Sequence, residues 1–175
     1  MQVLANGGLG GLLVMLNVLY SSELFYLAYV SSLAVVCSDT WSTEIGTLLK
    51  TKTISIKNFK ETEQGTSGGI SVPGSIGAVL GAFIIPVSSL FWLDSILLIS
   101  ISGFLGNIVD SLLGAVVQAQ YKCSVCGKIT ERKYHCGNRT ILLKGMKWLN
   151  NDVVNFISAF TGVLFLLIFK EILKA

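Results

Sequence analysis

Within an apolar run from about Phe91 to Gln118, the stretch Gly106–Ala115 carries Asn107, Asp110, Ser111 and Gly114 at i, i+3, i+4 and i+7. That spacing puts them on one face of a helix. Phe104, Leu105, Ile108, Val109 and Leu112 cover the remaining faces. An aspartate at mid-bilayer costs roughly 2.5–3.5 kcal/mol on insertion scales, which makes it a functional-site hypothesis by default. A solvated helix end or a hydrogen-bonded structural Asp is the plain alternative. Asp39, Ser42, Thr43 and Gly46 likewise share a helical face within Ser38–Gly46, with Glu44 on its edge. Two acids there suit a hard cation such as magnesium, unless both are hydrogen-bonded inside the fold.

Three further segments carry candidate chemistry. The loop Gln64–Ser71 places Gly65, Thr66, Ser67, Gly68 and Gly69 directly ahead of an apolar run. Glycines and hydroxyls before a helix can present backbone N–H groups to an anion, although such a loop is often only a turn; Lys57 and Lys60 nearby favour a phosphate site. Asn151, Asp152 and Asn155 open the last apolar segment. Asn150 or Asn151 can serve as an N-cap, whereas Asn155 lies too deep for that role. Asn6 could reach the same end of the molecule. Finally, Cys123-x-x-Cys126 is followed nine residues on by His135-Cys136. This resembles a zinc knuckle. A structural zinc clip is favoured, ahead of free thiols and redox chemistry, and adjacency of His135 and Cys136 suggests that one of the two does not ligate. Cys37 reads as a small buried apolar side chain.

The elements that must position these groups are membrane spans. The 175 residues are 52% hydrophobic and only 13% charged, with a mean hydropathy of +0.70, which excludes an ordinary soluble domain. Five apolar runs approach bilayer length, at roughly 2–20, 23–47, 70–88, 90–118 and 151–173. The expected fold is therefore an all-α polytopic bundle of about five transmembrane helices. It forms a single membrane domain over 1–175, with 119–148 inserted as a small Cys/His loop. Met1–Tyr20 lacks the basic start of a cleaved signal and reads as a packed span. Gly10 and Gly11, and the pair Gly77 and Gly81, suit close helix contacts. Pro73 fits a first helical turn and Pro86 a helix end. No internal repeat is present.

Eleven of the thirteen basic residues lie in the loops after the second and fourth runs. Five spans put both loops on one side, which the positive-inside rule makes cytoplasmic. The basic residues lack interleaved aromatics and adjoin membrane, so nucleic acid is not the expected partner. Under this topology all the polar segments above converge on the cytoplasmic end of the bundle. Acids, amides, a glycine loop and lysines together suit a magnesium-bound nucleotide meeting a lipid-borne phosphate. Phosphoryl transfer needs mainly positioning and charge neutralisation. No Walker loop or protein-kinase lysine pattern is present, so the nucleotide site is of another type. A small transporter is a competing class, although transporter sites lie near the midplane between repeated halves. A purely structural subunit is another. A homo-oligomer is left open.

The ordered segments Gln2–Gly8, Ser38–Gly46, Gly65–Ser71, Gly106–Ala115 with Gln118, and Asn150–Asn155 resemble the transmembrane protein 19 / phytyl-phosphate kinase family. More remotely, the chain resembles the dolichol kinase and phosphatidate cytidylyltransferase group, whose donor is CTP with magnesium. The resemblance implies CTP-dependent conversion of an isoprenoid monophosphate to its diphosphate, with Asp39, Glu44, Asn107 and Asp110 as first candidates for the site. Transfer of a cytidylyl group to the same lipid phosphate is the nearest alternative. Family members usually carry further helices before the Gln2–Gly8 segment, so a short or truncated homologue is expected. The cysteine loop is not universal among them, which suits a structural role.

Overall fold

The computed structural model describes residues 2–174. Five helices build it: α1 (Gln2–Tyr20), α2 (Glu23–Leu48), α3 (Val72–Ser88), α4 (Ile96–Val116) and α5 (Asn151–Lys174). The five apolar runs thus become five helices. Four of them are long and apolar enough to cross a bilayer; α3, at 17 residues, is shorter. Long apolar side chains cover the outward faces, among them Leu12, Val18, Leu97, Leu164 and Ile168. Such a surface belongs in lipid, and the chain is a polytopic helical membrane protein.

α2 touches all four other helices. Its glycine-mediated contact with α3 fixes their antiparallel pairing. A Cβ added at Gly77 would lie 2.6 Å from Trp41 O, and one at Gly81 2.5 Å from Cys37 O, so only glycine lets the backbones come this close. At the far end Trp92 Nε1 donates to Tyr26 Oη at 3.0 Å. α3 with its following turn therefore runs nearly the whole length of α2 despite its few residues. That turn also explains why α4 starts at Ile96 and not near residue 90: the N–H groups of Trp92 and Leu93 are both turned back to Ser89 O. Pro86 lies inside the last turn of α3 instead of ending it, and the helix closes two residues later.

Two apolar clusters hold the bundle. Leu27, Val30, Ala34, Leu93, Ile99 and Leu166 join α2, α4 and α5, while Leu9, Leu13, Ala28, Ala159 and Val163 add α1. Buried serines satisfy themselves on backbone carbonyls, as Ser38 Oγ does on Ala78 O at 2.8 Å.

Both long loops emerge at one pole, where α2 and α4 end and α1, α3 and α5 begin. They are more structured than the sequence suggests. In the first, β1 (Ile54–Ser55) pairs with β2 (Gly69–Ile70). In the second, β3 (Gln120–Lys122) lies between β4 (Ile129–Thr130) and β7 (Ile141–Lys144). A separate hairpin joins β5 (Tyr134–His135) to β6 (Asn138–Arg139). The second loop is tied to the bundle where it leaves and re-enters: Met146 N–H donates to Val117 O at 3.0 Å and Ala119 N–H to Leu149 O at 2.9 Å.

Candidate active site

A cavity of about 420 Å³ opens at this pole. α2 contributes Asp39 and Glu44, and α4 contributes Asp110 and Ser111. Gly65, Thr66, Ser67, Gly68 and Gly69 line it from the first loop, and Asn151 and Asn155 from α5. The separate polar segments of the sequence therefore meet in one space. Asn6 of α1 joins them.

Asp110 sits at the floor, 9% exposed. Ser158 Oγ lies 3.0 Å from its Oδ2 and 2.9 Å from Asn155 O, so a single proton serves one or the other. The side-chain amides of Asn155 and Asn6 are 2.9 Å apart. Of the two settings of the Asn155 amide, one turns its NH2 to Asp110 Oδ2 (3.2 Å) and Asn151 O (3.1 Å), with its oxygen toward Asn6. We adopt that setting, because a carboxylate and a carbonyl can only accept. α1, α4 and α5 are thus clasped around one carboxylate.

The glycine loop reaches α4 by close approach. Gly68 has φ +76, and an added Cβ would stand 2.6 Å from both the Cα and the N of Ala115. Gly114 leaves the matching gap, with Gly68 N 3.2 Å from where its Cβ would be. The turn is braced internally, since Gly69 N–H donates to Thr66 O at 2.8 Å. Gln64 Nε2 donates to the carbonyls of Gly46, Thr47 and Leu49, filling the vacant acceptors at the end of α2 just beyond Glu44. Lys144 Nζ does the same at α4, donating to Ala115 O at 3.0 Å, with burial and the charge of Lys57 holding its pKa down.

Three expected residues stand outside the cavity lining. Asn107 is buried (5% exposed) but lies one turn deeper along α4 than Asp110. Lys57 is exposed on the first loop, and Asp152 is half-buried on the first turn of α5. Asn150 is the cap of that helix, its Oδ1 accepting from Val153 N–H at 3.1 Å.

Among the lining residues outside the expected site set, two bear on the chemistry, Glu131 and Gln118. Glu131 comes from the second loop, and Ser67 Oγ donates to its Oε1. In sequence it is one charge in Thr-Glu-Arg-Lys, with nothing to separate it from a solvated run. Gln118 follows α4, is 2% exposed, and its Nε2 has no hydrogen-bond partner among the described residues. In sequence it stands directly after a long apolar run and belongs to the Gly106–Ala115 with Gln118 segment that carries the family resemblance, though with no role attached. Asp39, Asp110 and Glu131 are close enough to feel one another's charge. The described lining contains four carboxylates and no Lys or Arg.

In the same loop, ligand atoms of Cys123, Cys126, His135 and Cys136 all lie within 4.8 Å of one another. Adjacency, which makes His135 and Cys136 awkward as a ligand pair, does not keep their ligand atoms apart. Cys136 takes a left-handed backbone (φ 51) ahead of Gly137 (φ 76), which turns its Sγ to 3.2 Å from His135 Nδ1. Cys126 Sγ is 3.5 Å from the same nitrogen. Hydrogen bonding from the Cys126 backbone, with help from His135 and Val125, pulls the Cys123 thiol down to about 6. Contact with the Cys126 side chain, then burial, pushes the Cys136 thiol up to about 11. Packed thiols that oppose each other's ionisation are a donor set that a divalent metal relieves.

The chain is similar to several known membrane proteins. The family model described as integral membrane protein DUF92 matches residues 1–163. Membrane protein MJ0933 of Methanocaldococcus jannaschii is 35% identical over 120 residues, 67% of this chain and 50% of that protein. Protein PGR of Arabidopsis thaliana is 32% identical over 135 residues, 69% of this chain and 46% of its own length. Protein VTE6, chloroplastic, of Arabidopsis thaliana is 30% identical over 150 residues, covering 86% of this chain and 39% of that protein. The chain thus spans half the length or less of these relatives. No solved structure matches.

Proposed function

The chain belongs to the DUF92 family of integral membrane proteins, the grouping that its ordered motifs resemble as transmembrane protein 19 / phytyl-phosphate kinase, and from that premise we propose that it is a CTP-dependent prenyl-phosphate kinase. The observation that carries this reading is the meeting of Asp39, Glu44, Asp110 and Glu131 in one cavity beside a glycine turn, with no Lys or Arg in the described lining. Such a space repels phosphate unless a cation enters with it. Magnesium fits, being held by one or two carboxylates plus substrate phosphates. Asp39, Glu44 and Asp110 would hold it, and when bound it neutralises charge on the phosphate oxygens.

In the reaction, an oxygen of the lipid monophosphate attacks the γ-phosphorus of CTP. The bond from that phosphorus to the β–γ bridging oxygen breaks, and CDP leaves. The chain's work is positioning. Asn155 and Ser158 orient Asp110 by the bonds described above. Ser111, Asn151, Thr66 and the backbone N–H of Ser67 offer donors to phosphate oxygens from three sides of the cavity. Basic residues concentrated in the loops at this pole support an opening toward the cytoplasm. Location at one pole, and not at mid-depth, favours a reaction site over a transport passage. The Cys/His cluster serves as a structural zinc clip on the loop that bears Glu131, since three sulfurs and one nitrogen match a closed zinc site.

The test is transfer by purified protein from CTP labelled in either the α or the γ phosphate, with magnesium and a prenyl monophosphate. γ-Label in the lipid supports the kinase. α-Label in the lipid means cytidylyl transfer, and label in neither overturns both.

A further inference from the structure

We propose that the apolar groove beside the cavity, along the outer face of α3, is the binding site for the isoprenoid chain of the phosphate-bearing lipid; this rests on the reading of the cavity as a lipid-phosphate site. The groove measures about 710 Å³. Val72, Ile76, Val79 and Leu80 form its wall, at i, i+4, i+7 and i+8 of α3, and are 75, 57, 41 and 51% exposed. The opposite face of α3 is the glycine stripe against α2, so this face is free. Ile54 and Ile70, paired across the β1–β2 hairpin, close the groove at the membrane surface.

Continuity with the cavity selects the occupant. Ser71, the N-cap of α3, lines both spaces. It is held in place by Gly74 N–H donating to its Oγ at 3.2 Å. On one side of it lies a polar chamber for phosphates; on the other, an apolar trough descends about 12 Å along the helix. A single-chain amphiphile with an anionic head is the molecule that fills both at once. Lys52 stands at the groove's edge, 3.8 Å from Glu61 in an exposed pair that holds its ammonium weakly enough for it to meet a passing phosphate. Neutral bilayer lipid meets the apolar wall equally well but has no group for the chamber beyond Ser71.

The experiment uses the full chain in lipid nanodiscs and a long-chain prenyl monophosphate with a photoreactive group in its tail. Adducts are expected on Ile76, Val79 and Leu80, competed by unlabelled prenyl monophosphate and not by the prenyl alcohol of equal length. Val79→Trp or Ile76→Trp, at surface positions that tolerate bulk, should cut this labelling roughly tenfold, the weight of about two buried methylenes. Adducts spread evenly over the outward faces of the other helices, or equal competition by the alcohol, would overturn the assignment. Labelling in the groove without any phosphoryl transfer would instead leave the groove standing and remove the kinase reading; transfer with labelling elsewhere would do the reverse.

Discussion

Replacing Gly68 by alanine should separate the docking of the glycine turn from its backbone conformation, with Gly65→Ala as its partner. Both glycines are left-handed, at φ +76 and +79, so each alanine meets a conformational cost of about 1–2 kcal/mol. Nothing lies within 4 Å of a Cβ at Gly65, whereas one at Gly68 stands 2.6 Å from the Ala115 Cα and N. If the loop stays seated, overpacking adds about 1–3 kcal/mol. If it lifts off α4, Ser67 and Thr66 leave the cavity and phosphate contacts are lost. For a chain of this size about 1 kcal/mol corresponds to roughly 2–4 °C in Tm. Gly65→Ala should therefore unfold a few degrees early with KM for CTP nearly unchanged. Gly68→Ala should lose about twice as many degrees, or else keep its Tm near that of Gly65→Ala and raise KM at least tenfold. Adding Ala115→Gly should not restore it, because the Cα and N of residue 115 remain in the way. Thermal unfolding in detergent and initial rates against CTP are the measurements. Equal behaviour of the two alanine variants in both assays, or full rescue by Ala115→Gly, would refute the argument.

Asp39→Asn and Asp110→Asn should each abolish transfer while membrane expression is retained; near-normal turnover in both removes them from the metal site. Glu131→Gln keeps the hydrogen bond from Ser67 but not the charge, and should lower kcat and magnesium affinity with little effect on Tm; an unchanged magnesium dependence would exclude it from the reaction. Gln118→Met should leave the ligand-free protein as stable or more so, since an unsatisfied buried Nε2 is removed at a cost otherwise of about 1–3 kcal/mol, while raising KM for nucleotide or lipid phosphate. A clear loss of Tm with kinetics intact would show the amide to be structural. Cys123→Ser with Cys126→Ser should remove bound zinc and lower stability by several kcal/mol, with a smaller effect on kcat per folded molecule; unchanged metal content and Tm would sink the clip.

The helices were legible because bilayer length and apolarity leave little else for such runs to do, and Asp39 and Asp110 because charge there is costly. Depth was not. Asn107 and Asp110 share a face by period, yet three residues displace Asn107 by about 4.5 Å along the axis, enough to bury it below the cavity floor. Lys57 is near the glycine turn in sequence, but the β1–β2 pairing carries the intervening chain around and leaves it outside. Glu131 became visible only when the second loop folded back to the pole, where Gly145, at φ +81, allows its backbone to press against Gln118 O. One consequence lies in the charge that this folding gathers. The sequence supplies an excess of lysines around the pole, while the charged side chains in the described lining of the cavity are all carboxylates. The lysines therefore act at a distance, raising the local concentration of anions, and the final approach of phosphate depends on a cation carried in with it. Rates should accordingly follow the magnesium–nucleotide complex and not free nucleotide, and excess free CTP should compete poorly for a chamber that repels it.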